Sequence, residues 1–317
     1  MKISIIIPVK PGGLVGAIEA LRRLEAPSAN YEVLVAEGRQ PSRQRNLAAA
    51  RASGEILYFL DDDAAAVPDA LERIEPHFAN STVAVVGGPS ITPSNVSSFQ
   101  RAIAWSLASL LGGGAVRNRY RQYGEVREAD DSELILCNLA FRREVFIANG
   151  GLDERLYPNE ENKLMDELIA RGEKLLHDPE LIVYRGQRST VTAFTRQMIT
   201  YGRGRAEQSI LARRFSFRPM IPALFICYLL TVPFVMNCWY LLPGVVYAAA
   251  VMLESARAWL KSGSFALACR LPMVYPLLHV GYGAGFIAGL VAPRFKRRGA
   301  GPEGVEIRIV KMMGIAW

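Results

Sequence analysis

The sequence predicts an α/β fold with a mixed, mostly parallel sheet, followed by apolar helices towards the C terminus. Strand-length apolar runs alternate with segments of helical spacing in the first half of the chain. That order produces right-handed crossovers and parallel strands. Two long runs without charged residues follow in the second half. A chain of 317 residues has room for one domain of about 200 to 250 residues and a smaller region.

The predicted elements follow one another in a regular order up to Pro89. Strand-length apolar runs lie at residues 4–8, 31–36, 55–60 and 82–86. Helices are predicted between them at residues 14–24, 43–52 and 69–78. Pro68 is suited to the first position of the third helix. Later elements are an apolar helix at 96–111, a strand at 134–141, an amphipathic helix at 163–171 and a last strand at 181–184.

The helix predicted at 96–111 leads into three glycines and the basic residues Arg117, Arg119 and Arg121. One interpretation is a helix on a membrane surface, with the arginines towards lipid phosphate. The other is an ordinary core helix followed by a hinge. These residues leave both interpretations open.

The net charge of +7 is unevenly distributed along the chain. Residues 1–184 contain 20 basic and 26 acidic side chains, whereas residues 185–218 contain eight arginines and one glutamate. Residues 254–317 contain nine basic and three acidic side chains. Because the region with the candidate ligand site is acidic, we expect the basic excess to contact membrane lipid and phosphate, and we expect no nucleic-acid partner.

Residues 219–253 and 271–293 contain no Asp, Glu, Lys or Arg. Each run exceeds the roughly 20 residues needed to cross a bilayer, and basic residues flank both, as they flank membrane spans. Three topologies fit: a hairpin of two short spans in the first run, one tilted span out and one back, or a re-entrant or interfacial segment at 281–285. The sequence does not choose among them.

These patterns predict three regions. A cytosolic domain covers residues 1–215, a membrane region with two or three apolar helices covers 216–295, and a basic tail covers 296–317. The first apolar run is too short for a signal peptide, and the four cysteines show neither metal-site nor disulfide spacing. Both observations favour a cytosolic first domain.

Three consecutive aspartates, Asp61, Asp62 and Asp63, follow the third predicted strand. Neighbouring carboxylates repel by about 1 kcal/mol in water and by more in a cleft. Mg²⁺ or Mn²⁺ relieves this repulsion and completes its shell with phosphate oxygens. Ligands of such sheets bind outside the carboxyl ends of the strands. The pattern therefore indicates a metal–diphosphate site, with a solvated, helix-capping turn as the alternative.

A second acidic pair, Glu160 and Glu161, opens the helix predicted around 163–171. Carboxylates in a first helical turn are favoured by the helix dipole, so a capping role is one explanation. The preceding turn at 150–154 can instead direct a carboxylate towards the strand ends. A second acidic site, apart from the metal, is what a general base requires.

A basic stretch at 196–205 contains Gln197, Arg203 and Arg205, just before the first apolar run. Arginine binds phosphate through two parallel hydrogen bonds. These side chains are therefore candidates to contact a leaving diphosphate, a lipid phosphate or membrane headgroups.

Taken in order, these motifs resemble the family 2 glycosyltransferases of the GT-A fold. Within that family they are similar to the membrane-attached branch of succinoglycan-type polysaccharide glycosyltransferases. The matching pieces lie at residues 5–9, 45–46 with 52–55, 59–63, 141–146 with 150–154, 159–162 and 197–205.

The resemblance implies an inverting enzyme that moves a sugar from a nucleotide-diphosphate sugar to a lipid-linked acceptor. This would take place at the cytoplasmic face of the cell membrane, in a bacterial inner membrane, during polysaccharide or glycan biosynthesis. A polyprenyl-phosphate sugar synthase is the alternative within enzymes. A non-catalytic nucleotide-binding membrane scaffold is the alternative from another class.

The resemblance also implies roles for individual residues. Asp61 and Asp63 match the family's Asp-x-Asp motif and would bind the divalent cation, while Glu161, beside Glu160, would deprotonate the acceptor. The implied donor-binding residues are Pro8, Val9, Glu37, Arg45, Asp61 and Asp62.

Three positions depart from the family's pattern. Glu37 lies where many members have paired aspartates, and Glu161 lies where the usual residue is aspartate. Where many members have a histidine as a possible metal ligand, this chain has Val183, Tyr184 and Arg185.

Overall fold

A computed structural model describes residues 1–25, 30–235, 237–295 and 304–315. Residues 296–303 and 316–317 of the expected basic tail lie outside the described residues, among them Lys296, Arg297 and Arg298. The chain forms two compact units. The first comprises residues 1–91, 118–185 and the described part of the C-terminal stretch, and the second comprises residues 92–117 and 186–295. The expected boundaries at 215 and 295 stay predictions.

The first unit is built from short strands and helices that alternate along the chain. In order these are β1 (Ile3–Val9), α1 (Ala17–Leu21), β2 (Tyr31–Glu37), α2 (Pro41–Arg51), β3 (Ile56–Leu60), β4 (Ala65–Ala66), α3 (Ala70–His77), β5 (Val83–Gly87) and β6 (Ser90–Ile91). Next comes α4 (Ser98–Ala108), which belongs to the second unit. The first unit continues with β7 (Arg127–Glu128), β8 (Asn138–Arg142), α5 (Arg143–Ala148), α6 (Glu160–Ala170), β9 (Lys174–His177) and β10 (Val183–Tyr184).

The second unit is helical in its described residues. After α4 it contains α7 (Val191–Ala212), α8 (Ile221–Thr231), α9 (Leu242–Ser262), α10 (Phe265–Ala268) and α11 (Leu271–Val291). Short 3₁₀ turns lie at Gly114–Tyr120, Arg218–Met220, Val232–Phe234 and Cys238–Leu241. The chain then returns to the first unit with the strand β11 (Glu306–Lys311).

A mixed, mostly parallel sheet forms the centre of the first unit, as the sequence predicts. Its described strands follow the order β11-β2-β1-β3-β8-β5-β9-β7. β1 is parallel to both β2 and β3, and β5 is parallel to β9. β8 runs antiparallel between β3 and β5. Five strands therefore point the same way, and their carboxyl ends lie along one edge of the sheet.

Both faces of this sheet are covered, which explains the continuous apolar runs in the sequence. In β1 all seven residues are buried. Because neighbouring side chains on a strand point to opposite faces, Ile5 and Ile7 join one core cluster and Ile6 joins the other. On the second face the rings of Phe59, Phe141 and Phe146 pack with centroids 5.3–5.7 Å apart.

The start of α3 differs from the expected position. Pro68 precedes the helix, whose first residue is Ala70 and whose N-cap is Asp69. The backbone first forms a turn in which the Ala70 N–H donates to the Val67 carbonyl at 3.1 Å. Val67 itself donates to the Ile182 carbonyl, and the helix begins after this long-range contact.

The C-terminal stretch includes an edge strand of the main sheet. β11 pairs antiparallel with β2, with Glu306 opposite Glu37 and Ile309 opposite Leu34. Lys311 is buried, and its Nζ lies 3.9 Å from the centre of the Tyr31 ring and donates to the Tyr31 carbonyl at 3.1 Å. The charged composition that predicts a tail therefore also suits an edge strand, where charges discourage further pairing.

The basic cluster after α4 is bound to protein groups. Arg119 is buried and donates to the Asp131 and Ser132 carbonyls and to Asn162 Oδ1 at 2.8 Å. Arg117 donates to the Gly114 carbonyl. α4 itself buries apolar side chains, and the Trp105 indole donates to Glu254 Oε2 at 3.3 Å within the second unit. These contacts favour the core-helix interpretation.

Two helices of the second unit are long and apolar enough to cross a membrane. They cover Cys238–Ser262 and Phe265–Val291. The charge-free run at 219–253 is divided between α8 and α9, with a 3₁₀ turn on each side of the break. Residues 281–285 are helical and lie inside α11.

Glycines allow α11 to approach α7 very closely. A Cβ atom at Gly285 would lie 2.0 Å from the Ile199 carbonyl oxygen, and one at Gly202 would lie 1.9 Å from the Tyr282 carbonyl oxygen. Gly281 and Gly289 face α7 one turn to either side of Gly285. This four-residue spacing of small residues is the pattern that lets membrane helices pack backbone to backbone.

Replacement of Gly285 by leucine tests this helix contact. Because the clashing atom is a backbone oxygen, the helices must separate, and we expect Gly285→Leu to lower the free energy of unfolding by about 3 kcal/mol. Denaturant unfolding of the purified protein measures the change. Ala284→Leu is the matched control, since Ala284 is exposed on the same helix. Equal stability of the two variants would contradict the packing described above.

Candidate active site

The predicted donor-side residues lie at one edge of the sheet. β1 ends at Val9 and β2 at Glu37, which are paired across the two parallel strands, and β3 ends immediately before Asp61. Pro8 is paired with Ala36 in the same ladder. Parallel strand direction thus brings these separate segments of sequence to a common edge.

α2 ties the ends of the first two strands together. The Gln44 amide donates to the Val9 carbonyl at 2.8 Å and to the Ala36 carbonyl at 2.5 Å. Sequence reasoning did not identify Gln44, because no motif indicates a buried amide that bridges two strands.

Glu37 is held in place by two donors. The Gly12 N–H lies 2.9 Å from Glu37 Oε1, and Arg308 of β11 lies 3.3 Å from Oε2. Arg308 is therefore a neighbour of the candidate donor site that only the folded chain reveals.

Two arginines compensate the carboxylates of the aspartate cluster. Arg45 Nη2 donates to Asp61 Oδ1 at 2.7 Å, and Arg185 Nη1 lies 3.0 Å from Asp61 Oδ2. Arg185 Nε donates to Asp63 Oδ1 at 2.6 Å. Burial and the charges of Asp63 and Asp61 raise the pKa of the third carboxyl, that of Asp62. The carboxylates of Asp61 and Asp63 are therefore each paired with at least one arginine.

Arg45 also reaches the second acidic cluster. Its Nη1 lies 3.6 Å from Glu160 Oε1, and only 5% of the Arg45 side chain and 2% of the Glu160 side chain are exposed. One buried guanidinium on α2 thus lies between the aspartates after β3 and the glutamates that begin α6. The sequence places Arg45 near the donor but does not show this bridge.

Glu160 is buried and has a raised pKa. Burial, together with the adjacent charge of Glu161, raises the pKa of Glu160 to about 7, although Arg45 acts in the opposite direction. The N-cap of α6 is Asn159, which makes no side-chain capping hydrogen bond. Since Glu160 is buried beside Arg45 and Glu161, helix capping alone does not explain this pair.

The remaining predicted residues lie in the second unit. Gln197, Arg203 and Arg205 are on α7, where the Gln197 amide donates to the Tyr201 hydroxyl at 2.9 Å. Their assignment to a diphosphate or lipid phosphate stays a prediction.

The expected divalent cation does not fit the aspartate cluster in this arrangement. Both oxygens of Asp61 are within 3.0 Å of a guanidinium nitrogen, and Asp63 is bonded to Arg185. In the described part of the chain, no group of three or more His, Cys, Asp or Glu side chains is arranged to hold a metal ion. A cation bound to Asp61 and Asp63 would meet the positive charge of Arg185.

The sheet, with acidic residues beyond its parallel strand ends, has the GT-A fold. Comparison with known sequences agrees: residues 4–149 match Glycosyl transferase family 2. The chain thus contains a family 2 glycosyltransferase domain. Its assignment to the succinoglycan-type branch stays a prediction.

The comparisons also include two solved structures and one relative. The mannosyltransferase PcManGT from Pyrobaculum calidifontis, solved with GDP-Man and Mn²⁺, has 16% identity and a TM-score of 0.57, with 91% of this chain and 87% of that chain covered. TarS 1-349 of S. aureus, solved with UDP, has 13% identity and a TM-score of 0.45, with 99% and 98% covered.

The relative is the glucosyl-dolichyl phosphate glucuronosyltransferase of Haloferax volcanii. It is 31% identical to this chain over 121 residues, which are 37% of this chain. The chain spans 36% of the length of that relative.

The raised pKa of Glu160 predicts a pH dependence of stability. The native state retains a proton that the unfolded chain releases above its ordinary value of 4.5, so this group lowers the free energy of unfolding as pH rises from 4.5 to about 7. We expect Glu160→Gln to remove that decline. Denaturant unfolding at several pH values measures it, with Glu167→Gln on the same helix as control. Identical pH profiles for wild type and Glu160→Gln would contradict the assignment.

Proposed function

We propose that the chain is an inverting glycosyltransferase that moves a sugar from a nucleotide-diphosphate sugar to a lipid-linked acceptor. One observation carries the proposal: the two acidic clusters meet through the buried Arg45, 2.7 Å from Asp61 and 3.6 Å from Glu160. A donor site and a base site must be close for a single displacement. The name of the Haloferax relative, which specifies a dolichyl-phosphate-linked substrate, supports a lipid-linked acceptor.

In this proposal the donor lies along the edge formed by β1, β2 and β3. Pro8, Val9 and Glu37 line the nucleoside pocket, and Asp61 and Asp62 lie towards the ribose and the diphosphate. The diphosphate then approaches the arginines bound to the aspartates, because guanidinium groups pair well with phosphate.

Glu161 is the proposed general base. It removes the proton of the acceptor hydroxyl while that oxygen bonds to the anomeric carbon, and the bond from this carbon to the diphosphate breaks with its electron pair leaving on the diphosphate. Glu161 is slightly more exposed than Glu160, which is fixed by Arg45.

The divalent cation inferred from the aspartate motif takes no part in this scheme. PcManGT was solved with Mn²⁺, but in this chain Arg45 and Arg185 bind the carboxylates that would coordinate the ion. The scheme therefore depends only on residues of the chain.

We further propose that the second unit attaches the enzyme to the cytoplasmic face of a bacterial inner membrane, with residues 216–295 as the membrane region. Large apolar side chains are exposed along it, including Phe234, Trp239, Leu260 and Phe265. Exposed apolar surface of this extent is expected for helices that contact lipid. The arginines of α7 precede it and are suited to lipid phosphate.

A donor screen tests the proposed activity. The purified protein, incubated with nucleotide sugars and membrane lipid extract, should release nucleoside diphosphate. Glu161→Gln should lower turnover at least ~10²-fold, because the base is lost. Glu167→Gln is the matched control and should retain activity.

Mass analysis of the lipid products distinguishes the acceptors. A sugar joined to a lipid-linked glycan supports the proposal, and a sugar joined to a polyprenyl phosphate identifies the synthase alternative. Nucleotide binding without release of nucleoside diphosphate for any donor would indicate a non-catalytic scaffold and would contradict the proposal.

A further inference from the structure

Arg185 follows β10 and is fixed by backbone contacts of a small sheet beside the aspartate cluster. In that sheet Tyr184 pairs with Ala65 on β4 and with Ile91 on β6. The Arg185 N–H donates to the Ile91 carbonyl at 2.9 Å. The backbone of Arg185 is therefore anchored to β6 directly after the residue that pairs with β4.

The guanidinium of Arg185 bridges two carboxylates separated by one residue. Its Nε lies 2.6 Å from Asp63 Oδ1, and its Nη1 lies 3.0 Å from Asp61 Oδ2. The Arg185 side chain is 21% exposed, and that of Asp63 is 50% exposed. The Arg185 guanidinium thus packs against protein on one side, while solvent reaches its ion pair with Asp63. A site that binds a soluble ligand requires such access.

We propose that the Arg185 guanidinium takes the place of the divalent metal ion expected between Asp61 and Asp63, and that it binds the donor diphosphate. This inference rests on the proposed function, since it assigns the group that binds the donor of that reaction. It also explains the departure noted in the sequence, where this chain has arginine in the region in which many family members have a histidine.

Electrostatics makes Arg185 and a metal ion alternatives at this position. Mg²⁺ coordinates carboxylate oxygens at about 2.0–2.1 Å, so an ion shared by Asp61 and Asp63 would meet the guanidinium at close range. The second arginine, Arg45, holds the other oxygen of Asp61. A metal ion would therefore have to displace Arg185 from both carboxylates.

A diphosphate can take the place of a carboxylate partner of Arg185. Arginine pairs with phosphate through charge-assisted, bidentate hydrogen bonds, as it does with carboxylate. Asp63 is the more exposed of the two partners, so the incoming diphosphate exchanges with Asp63 while Asp61 keeps Arg185 and Arg45 in position.

Calorimetric titration of the full chain in detergent tests this assignment, with UDP, GDP, ADP, CDP and dTDP as probes in EDTA or in Mn²⁺. For the nucleotide that binds, the wild-type affinity should differ less than 3-fold between the two conditions. Arg185→Ala should weaken binding in EDTA at least 10-fold, and Arg185→Lys, which keeps the charge, should lose less. The control is Arg188→Ala, an exposed arginine three residues on, which should bind as wild type.

A histidine variant provides a gain-of-function test of the inference. Arg185→His removes the guanidinium and supplies a metal ligand beside Asp61 and Asp63, so its nucleotide affinity should become at least 10-fold higher in Mn²⁺ than in EDTA. Thermal unfolding of each variant confirms that it is folded.

Two results would overturn the assignment while leaving the proposed function intact. One is wild-type binding that requires Mn²⁺, and the other is unchanged binding by folded Arg185→Ala. Failure of the wild type to bind any of these nucleoside diphosphates under both conditions would contradict the proposed function itself and the inference with it.

Discussion

The buried guanidinium of Arg45 is the interaction on which the candidate site depends. It lies between Asp61 and Glu160, which belong to acidic clusters about a hundred residues apart in sequence. A buried carboxylate is stabilised in its ionised form by a nearby positive group, and removal of one partner of a fully buried pair costs about 3–5 kcal/mol. Without Arg45, the first turn of α6 and the end of β3 would repel each other.

The packing of α2 explains why this arginine can be buried. Four consecutive polar residues of α2, at positions 42–45, are buried, whereas apolar residues usually fill such positions. This part of the helix faces strand ends and loops, where Gln44 satisfies two backbone carbonyls. Farther along the same helix, Ala48 and Ala49 join the apolar core. One helix thus supports both the sheet and the site.

In the second unit, glycine residues at the contact between α7 and α11 allow close packing of these two helices. Gly202 and Gly285 bring the α7 and α11 backbones so close that no side chain fits between them. Such contacts rely on packing and not on the burial of apolar area, which is the situation of helices in lipid. Both apolar helices can therefore expose large side chains outward while remaining attached to α7 or its neighbours.

Sequence alone determined the features that follow from local periodicity: the alternation of strands and helices, the mostly parallel sheet, and the acidic clusters at positions 61–63 and 160–161. Only the tertiary structure decided which charges meet. The bridge made by Arg185, the pairing of β11 with β2 and the burial of Arg119 each join segments that no periodic pattern relates. Strand direction can be inferred from the order of elements, but a salt bridge depends on the positions of individual atoms, which the whole fold sets.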